Sequence, residues 1–278
     1  TGEPDADAGG DAGVDGDGGA DVAEAAPPPP CDAASQCEAS ACCSGFCTDP
    51  TRDPNNCGMC GNKCTSGQFC DTTACRAAIF ANICANPRGT VVFDSFPPDN
   101  EGGAALGAGL QSGCSPSVVV NQAWQDGGSV VDPNSGRPIL GVGDTFIVGG
   151  GAFGQLGVKY MDNALLTRCT VGGDGTNAWI LNQMTSQYVV KVLETTLTSG
   201  HDYFLVELAV EPVSGTLVFA GIGMLAPGTL AAGFYVPTFI VPNRTNFTDS
   251  WYAYEWVDTN GNSQADASDT YNLLGHGQ

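Results

Sequence analysis

The chain has 278 residues, 30 acidic side chains against nine Lys and Arg, and a formal net charge of -21. Such a surface repels nucleic-acid phosphates and anionic membranes, which makes both poor partners, and it favours cations. It holds no apolar run of about eighteen residues, so no transmembrane segment is expected, and its length leaves room for one to three domains.

Residues 1–30, TGEPDADAGGDAGVDGDGGADVAEAAPPPP, contain no aromatic residue, no Lys and no Arg. Nothing in them offsets the entropy of ordering, and the acids repel one another. The four prolines prefer an extended spacer. The expectation is a disordered acidic tether. A tail of this kind commonly follows the lipidated cysteine of bacterial lipoproteins, and Thr1 at the start suits a processed chain.

Residues 31–84 form the next unit. Ten of the thirteen cysteines fall between Cys31 and Cys75: Cys31, Cys37, Cys42, Cys43, Cys47, Cys57, Cys60, Cys64, Cys70 and Cys75. A stretch this short with few large apolar residues cannot be stable on core packing alone. An even number of cysteines at this density implies a disulfide framework, each bond contributing ~2–4 kcal/mol by restricting the unfolded chain. That places the protein in an oxidising compartment: extracellular or on the outer cell surface. The pairing is open, except that the adjacent Cys42 and Cys43 take different partners, a vicinal bond being strained. A zinc site built from Cys57, Cys60, Cys70 and Cys75 is the competing reading, and it would leave six neighbours unexplained.

The segments CSGFCTD (Cys43 to Asp49), DPNNCGMCGNKC (Asp53 to Cys64) and GQFC (Gly67 to Cys70) resemble the stigma-specific cysteine-rich family. Similar repeats occur in large secreted proteins of myxobacteria. The resemblance spans about residues 37–76 and implies an extracellular location with a spacer or binding role. The glycines after Cys57 and Cys60 suit tight turns that need positive φ.

Residues 85–278 have the composition of a larger domain. Three apolar runs, TVVFDSF, GDTFIVGGG and GTLVFAGIGM, each lead through a Gly-rich turn into a segment able to form a helix. Continuous apolar strands imply burial on both faces. The repeated strand–turn–helix plan predicts an α/β domain with a parallel or mixed sheet covered by helices; the abundance of Gly, Val and Thr makes an all-β sandwich the alternative. SVVVNQAW, SQYVVKVLETTL and DYFLVELAV supply further strands. Residues 140–240, with GDTFIVGGGAFGQLGVKYMDN followed by the HDYFLVEL and GTLVFAGIGMLAPGTLAAGFYV segments, resemble a domain of archaeal S-layer and related surface proteins, with Gly151 where that pattern has Pro. This resemblance implies an envelope role.

The glycine loops lack the Lys-Ser/Thr of a P-loop and the third glycine of a dinucleotide fold. Asp94 and Ser95, at the end of an apolar run, superficially resemble the strand-end pair of SGNH-type esterases, without the preceding Gly or the later Asp-x-x-His. His201 reads as a surface loop histidine. Cys114 and Cys169 are expected to pair within the domain, leaving Cys84 odd. Asn243 and Asn246 head glycosylation sequons.

DTNGNSQADASD places Asp258, Asn260, Asn262, Asp266 and Asp269 at positions 1, 3, 5, 9 and 12 of a loop. That spacing is used by EF-hand and dockerin-type loops to wrap one Ca²⁺. Ser263 stands where the turn glycine belongs, and the competing reading is a solvated turn. The sum is a secreted or surface-anchored, non-catalytic structural or adhesion protein that self-assembles or meets an extracellular surface partner. A glycan-binding module with Trp251, Tyr252, Tyr254 and Trp256 as its platform is the alternative, and an esterase on Asp94 and Ser95 the second.

Overall fold

A computed structural model describes residues 29–32, 37, 41–72, 74–85, 88–93, 97–114, 119–124, 131–138, 144–149, 156–212 and 214–278. The tether lies outside these residues, except for Pro29 and Pro30, and so do Asp94, Ser95 and Gly151.

The cysteine-rich module is two small hairpins and the turns between them. β1 (Ala41–Cys43) and β2 (Phe46–Thr48) are joined by Ser44 and Gly45, both at positive φ (55° and 88°), as a two-residue hairpin turn requires. β3 (Gln68–Asp71) and β4 (Ala74–Ala77) form the second hairpin. Gly58 and Gly61 have φ of 76° and 78°, so the glycine after each middle cysteine is a conformational requirement. A 3₁₀ turn, Phe80–Asn82, leads out of the module.

The larger domain is mostly strand, with few helices. Its main sheet takes β5 (Arg88–Phe93), β6 (Val119–Trp124), β7 (Asp144–Gly149), β11 (His201–Val210), β12 (Leu217–Gly223), β13 (Trp251–Val257) and β14 (Thr270–Gly277) in the order β14-β13-β11-β12-β7-β5-β6. The β12-β7, β7-β5 and β5-β6 neighbours run parallel, and the β12-β11, β11-β13 and β13-β14 neighbours run antiparallel. Helices α1 (Pro97–Gly113) and α3 (Ala226–Tyr235) lie together over one face. The opposite face is covered by α2 (Leu156–Asn163) and by a second, three-stranded antiparallel sheet of β8 (Cys169–Gly173), β9 (Asn177–Asn182) and β10 (Gln187–Leu193). The α/β expectation is corrected here: strand content is nearer the all-β alternative, because a second sheet does much of the covering that repeated helices were expected to do.

The ten residues of β11 show why its sequence does not alternate. Phe204, Val206 and Leu208 face the helices, where they pack with Leu106, Leu110, Ala231 and Ala232. Tyr203, Leu205 and Ala209 face the second sheet, where they meet Val171 and Ile180. Each strand residue alternates faces, and both faces are covered. α1 and α3 approach at glycines: a Cβ on Gly233 would stand 2.5 Å from the backbone of Gly102, and one on Gly109 would overlap Pro237. The Gly-rich composition of both segments is a packing requirement at that crossing.

The module is built into this core. Phe69, Ala78, Phe80 and Ile83 belong to the same buried cluster as Phe219 and Tyr252. Phe80 sits edge-on to both rings, at centroid distances of 6.1 and 5.6 Å. Its N–H donates to the Asp249 carbonyl, and that of Ala81 to the Phe247 carbonyl.

Candidate functional site

All ten module cysteines are joined in five bonds: Cys31–Cys42, Cys37–Cys47, Cys43–Cys60, Cys57–Cys70 and Cys64–Cys75. Adjacent Cys42 and Cys43 do take different partners. The loops span 10 to 17 residues, a range in which chain entropy assigns about 3 kcal/mol to each bond. Sulfurs gather within 4.8 Å as Cys31, Cys37 and Cys47 and as Cys57, Cys64 and Cys75, but every one of these is in a disulfide. The thiolates a zinc site needs are therefore used up.

The expected Cys114–Cys169 bond does not form. Cys84, just past the 3₁₀ turn, bonds Cys114 at the end of α1, with Cα atoms 5.1 Å apart. Cys169 is buried on β8, on the far face of the main sheet, and is free. Burial, and then the Glu207 carboxylate, push its thiol pKa far up, so it is not a nucleophile.

Three acids of the β11 region have structural work that the sequence reading missed. Asp202 faces the helices, fully buried, and accepts from the N–H groups of Tyr203 (2.7 Å), Leu225 (3.0 Å) and Gly228 (2.7 Å). It thereby caps the start of α3 from a neighbouring strand. Burial raises its pKa to about 6 against those bonds. Glu207 faces the second sheet and accepts from the N–H groups of Arg168 and Cys169, anchoring the entry to β8. Its burial is complete and pushes its pKa to about 8. Glu211 accepts from the Ser214 N–H and hydroxyl, both 2.6 Å, and from Tyr160 at 3.0 Å, and meets Arg137 at 3.3 Å. The signal was present: three carboxylates in an otherwise apolar stretch must each have partners. His201 begins β11 instead of lying in a loop, and its Nε2 is 2.9 Å from Glu255.

The C-terminal loop joins β13 to β14 at the sheet edge. Asp258 accepts from the N–H groups of Asn260 (3.1 Å), Gly261 (2.7 Å) and Ser263 (2.6 Å). Desolvation works against its charge, but these bonds outweigh it and hold its pKa below the usual carboxylate range. Asp266 accepts from the Ser268 hydroxyl and N–H and from the Asn260 and Asn262 amides, which bring its pKa to about 2. Asp269 accepts from the indole N–H of Trp256 and the N–H of Asp266. Ser263, sixth in the loop, has φ of 56°, the conformation for which EF-hands use glycine there. Among the described residues, three or more such ligand atoms come within 4.8 Å only in the two cysteine groups, so the three carboxylates do not converge as a set.

The proposed aromatic platform is overturned. Trp251, Tyr252, Tyr254 and Trp256 are all buried, Trp251 toward the second sheet and the other three toward the helices. Strand alternation between two covered faces leaves none of them for solvent. A different ring group stands half-exposed: Tyr235, Phe239 and Tyr271, with centroids 4.9 to 5.4 Å apart.

Residues 27–78 match the model of the Stigma-specific STIG1-like protein family. The match covers the module and stops where the chain enters the domain core. Together with the disulfide framework, the STIG1-like module marks an extracellular type of cysteine-rich protein. No curated protein matches the chain. Among the described residues no helix is long and apolar enough to cross a membrane.

Proposed function

We propose that the protein is a non-catalytic structural or adhesion component outside the cell, in which the STIG1-like module and the strand-rich domain act as one rigid unit. The observation that carries this reading is the insertion of Phe69, Ala78, Phe80 and Ile83 into the domain core. A module used as a loose spacer would not share a core with its neighbour. The occupied state of the buried acids points the same way: Asp202, Glu207 and Glu211 are each held by donors that position backbone segments. The lipid-anchored tether, the S-layer-like role and a Ca²⁺ held by Asp258, Asn260, Asn262, Asp266 and Asp269 belong to this proposal. The left-handed Ser263 supports the last of these.

The test is retention on envelope material isolated from the producing cells. Intact protein should sediment with it in the presence of calcium, and protein cleaved between module and domain should not. Saturable turnover of short-chain esters, lost on Ser95→Ala, would overturn the non-catalytic reading in favour of the esterase. A second reading, glycan binding, is favoured by the half-exposed rings of Tyr235, Phe239 and Tyr271. Retention on immobilised polysaccharide that is lost on Phe239→Ser would select it.

A further inference from the structure

A cleft of about 610 Å³ lies between the module and the domain. One wall is the turn into β3 and the exit from β4, including Lys63 and Ile79; the other is the α2–β8 connection with Leu166 and Arg168, and the end of β11. The chain has 30 acidic and nine basic side chains. Among the described residues lining the cleft there is no Asp or Glu, yet two of the nine cations are there. Neither Lys63 nor Arg168 forms an ion pair with another described residue; one guanidinium nitrogen of Arg168 lies 3.4 Å from the Met184 sulfur. Glu207 lies behind Arg168, but its carboxylate is fully buried and taken by the N–H groups of Arg168 and Cys169. The cleft thus gathers two side-chain cations of an acidic protein, with Gln278 also in its lining.

The strand end adds direction. The β11–β13 ladder closes at Glu207↔Trp251, with the Leu208 N–H donating to the Ser250 carbonyl. On its other side β11 stays paired with β12 as far as Val210↔Leu217. Beyond Ser250, the β13 side of Ala209 and Val210 therefore fronts the cleft. Successive N–H groups of a strand point to opposite sides, so that of Val210 points the same way as that of Leu208, toward the missing neighbour. Ile79, Leu166 and Val210 supply apolar surface beside it.

We propose that this cleft binds an extended acidic peptide segment of a partner protein. A carboxylate sits between Lys63 and Arg168, the peptide backbone continues the ladder at Val210, and an apolar side chain packs on Ile79 and Leu166. Charge complementarity selects an anionic occupant, and the open strand side selects a peptide, which binds by strand addition. Among the described residues that line the cleft there is no aromatic ring, which sets it apart from a stacking platform for sugars.

The test uses the full, disulfide-bonded chain and fluorescence anisotropy. The probe is a labelled hexapeptide alternating valine and aspartate; a valine–asparagine and a valine–lysine hexapeptide are the comparisons. The acidic probe should bind saturably, at least tenfold more tightly than either comparison, and weaken at least tenfold in the Lys63→Ser/Arg168→Ser double variant. Both side chains reach solvent, and Arg168→Ser keeps the N–H that Glu207 accepts. Lys159→Ser and Lys191→Ser, cations outside the cleft, should leave binding unchanged. Equal binding by the double variant, equal binding of the lysine peptide, or no saturation at millimolar probe would each overturn the proposal. So would displacement of the acidic peptide by polygalacturonate fragments of higher affinity, which would make the cleft a site for acidic glycans. The measurement is made on purified protein, so it can fail while envelope retention succeeds, and the reverse.

Discussion

Glu207 is a fully buried carboxyl group in the middle of the main sheet. Burial raises its pKa to about 8, well above the value in an unfolded chain. In the interval between those two values the native state binds more protons than the unfolded one, so stability falls as pH rises. Its contribution is complete below the unfolded pKa and is lost as pH passes 8. Asp202 acts in the same direction up to about pH 6. The acidic surface also favours lower pH through relief of repulsion. The difference between wild type and Glu207→Gln separates the two: melting temperatures measured from pH 5 to 8.5 should fall more steeply in the wild type than in the variant. Parallel curves would show that Glu207 is ionised in the native state throughout. Cys169 gives a second check. Native protein should show no thiol reactive toward a disulfide reagent, and protein denatured without reductant should show one per chain, since the other twelve cysteines are paired. Two or more reactive thiols after denaturation would contradict the pairing.

The crossing of α1 and α3 and the C-terminal loop each depend on local geometry that a single change can probe. In an exposed helix, Gly→Ala gains up to about 1 kcal/mol. At Gly233 the added Cβ meets the Gly102 backbone at 2.5 Å, and such overpacking costs roughly 1–3 kcal/mol. Gly233→Ala should therefore lower the melting temperature, and an increase would show that the helices are not in close contact. The loop at Asp258–Asp269 carries three carboxylates on a chain that is already strongly acidic. If it holds Ca²⁺, millimolar calcium should raise the melting temperature more than magnesium does, because Mg²⁺ demands a tighter octahedron and sheds water reluctantly. Asp258→Ala should abolish that difference. Equal shifts with the two ions would leave the loop as a turn held by its own N–H groups, which the bonds from Asn260, Gly261 and Ser263 to Asp258 are sufficient to do.

The molecule joins two kinds of stability: covalent in the module, hydrophobic in the domain. Phe80 is where they meet. Its ring is fully buried against Phe219 and Tyr252, and truncating a buried Phe costs about 3–5 kcal/mol. Phe80→Ala should lower the melting temperature of the domain and expose the junction to protease, releasing a disulfide-bonded module detectable by mass spectrometry. A loosely tethered module would instead leave the domain's melting temperature unchanged. The Cys84–Cys114 bond reinforces the same junction by tying the segment after Phe80 to the end of α1. A rigid joint of this kind keeps the walls of the Lys63/Arg168 cleft at a fixed separation.

By itself the sequence determined what short-range chemistry controls. The density of cysteines with so little apolar side chain favoured cross-links over a zinc site, and the spacing around Cys43, Cys57 and Cys64 carried the resemblance to the family. Apolar runs marked β5, β7, β11 and β12, and Gly-rich turns marked where α1, α2 and α3 begin. Only the tertiary structure decided which sulfur meets which, because pairing is set by the distance between chain segments and not by spacing: Cys84 reached Cys114, while Cys169 was left on the opposite face of the sheet. It decided the fold class too, since a fully apolar strand states that both faces are covered without saying by what. The second sheet covered Trp251, and the helices covered Tyr252, Tyr254 and Trp256. Lys63 and Arg168 lie about a hundred residues apart in sequence, and nothing local to either foretells one cleft. Their juxtaposition exists because Phe80 docks the module on the domain, a long-range packing event that composition and periodicity do not encode.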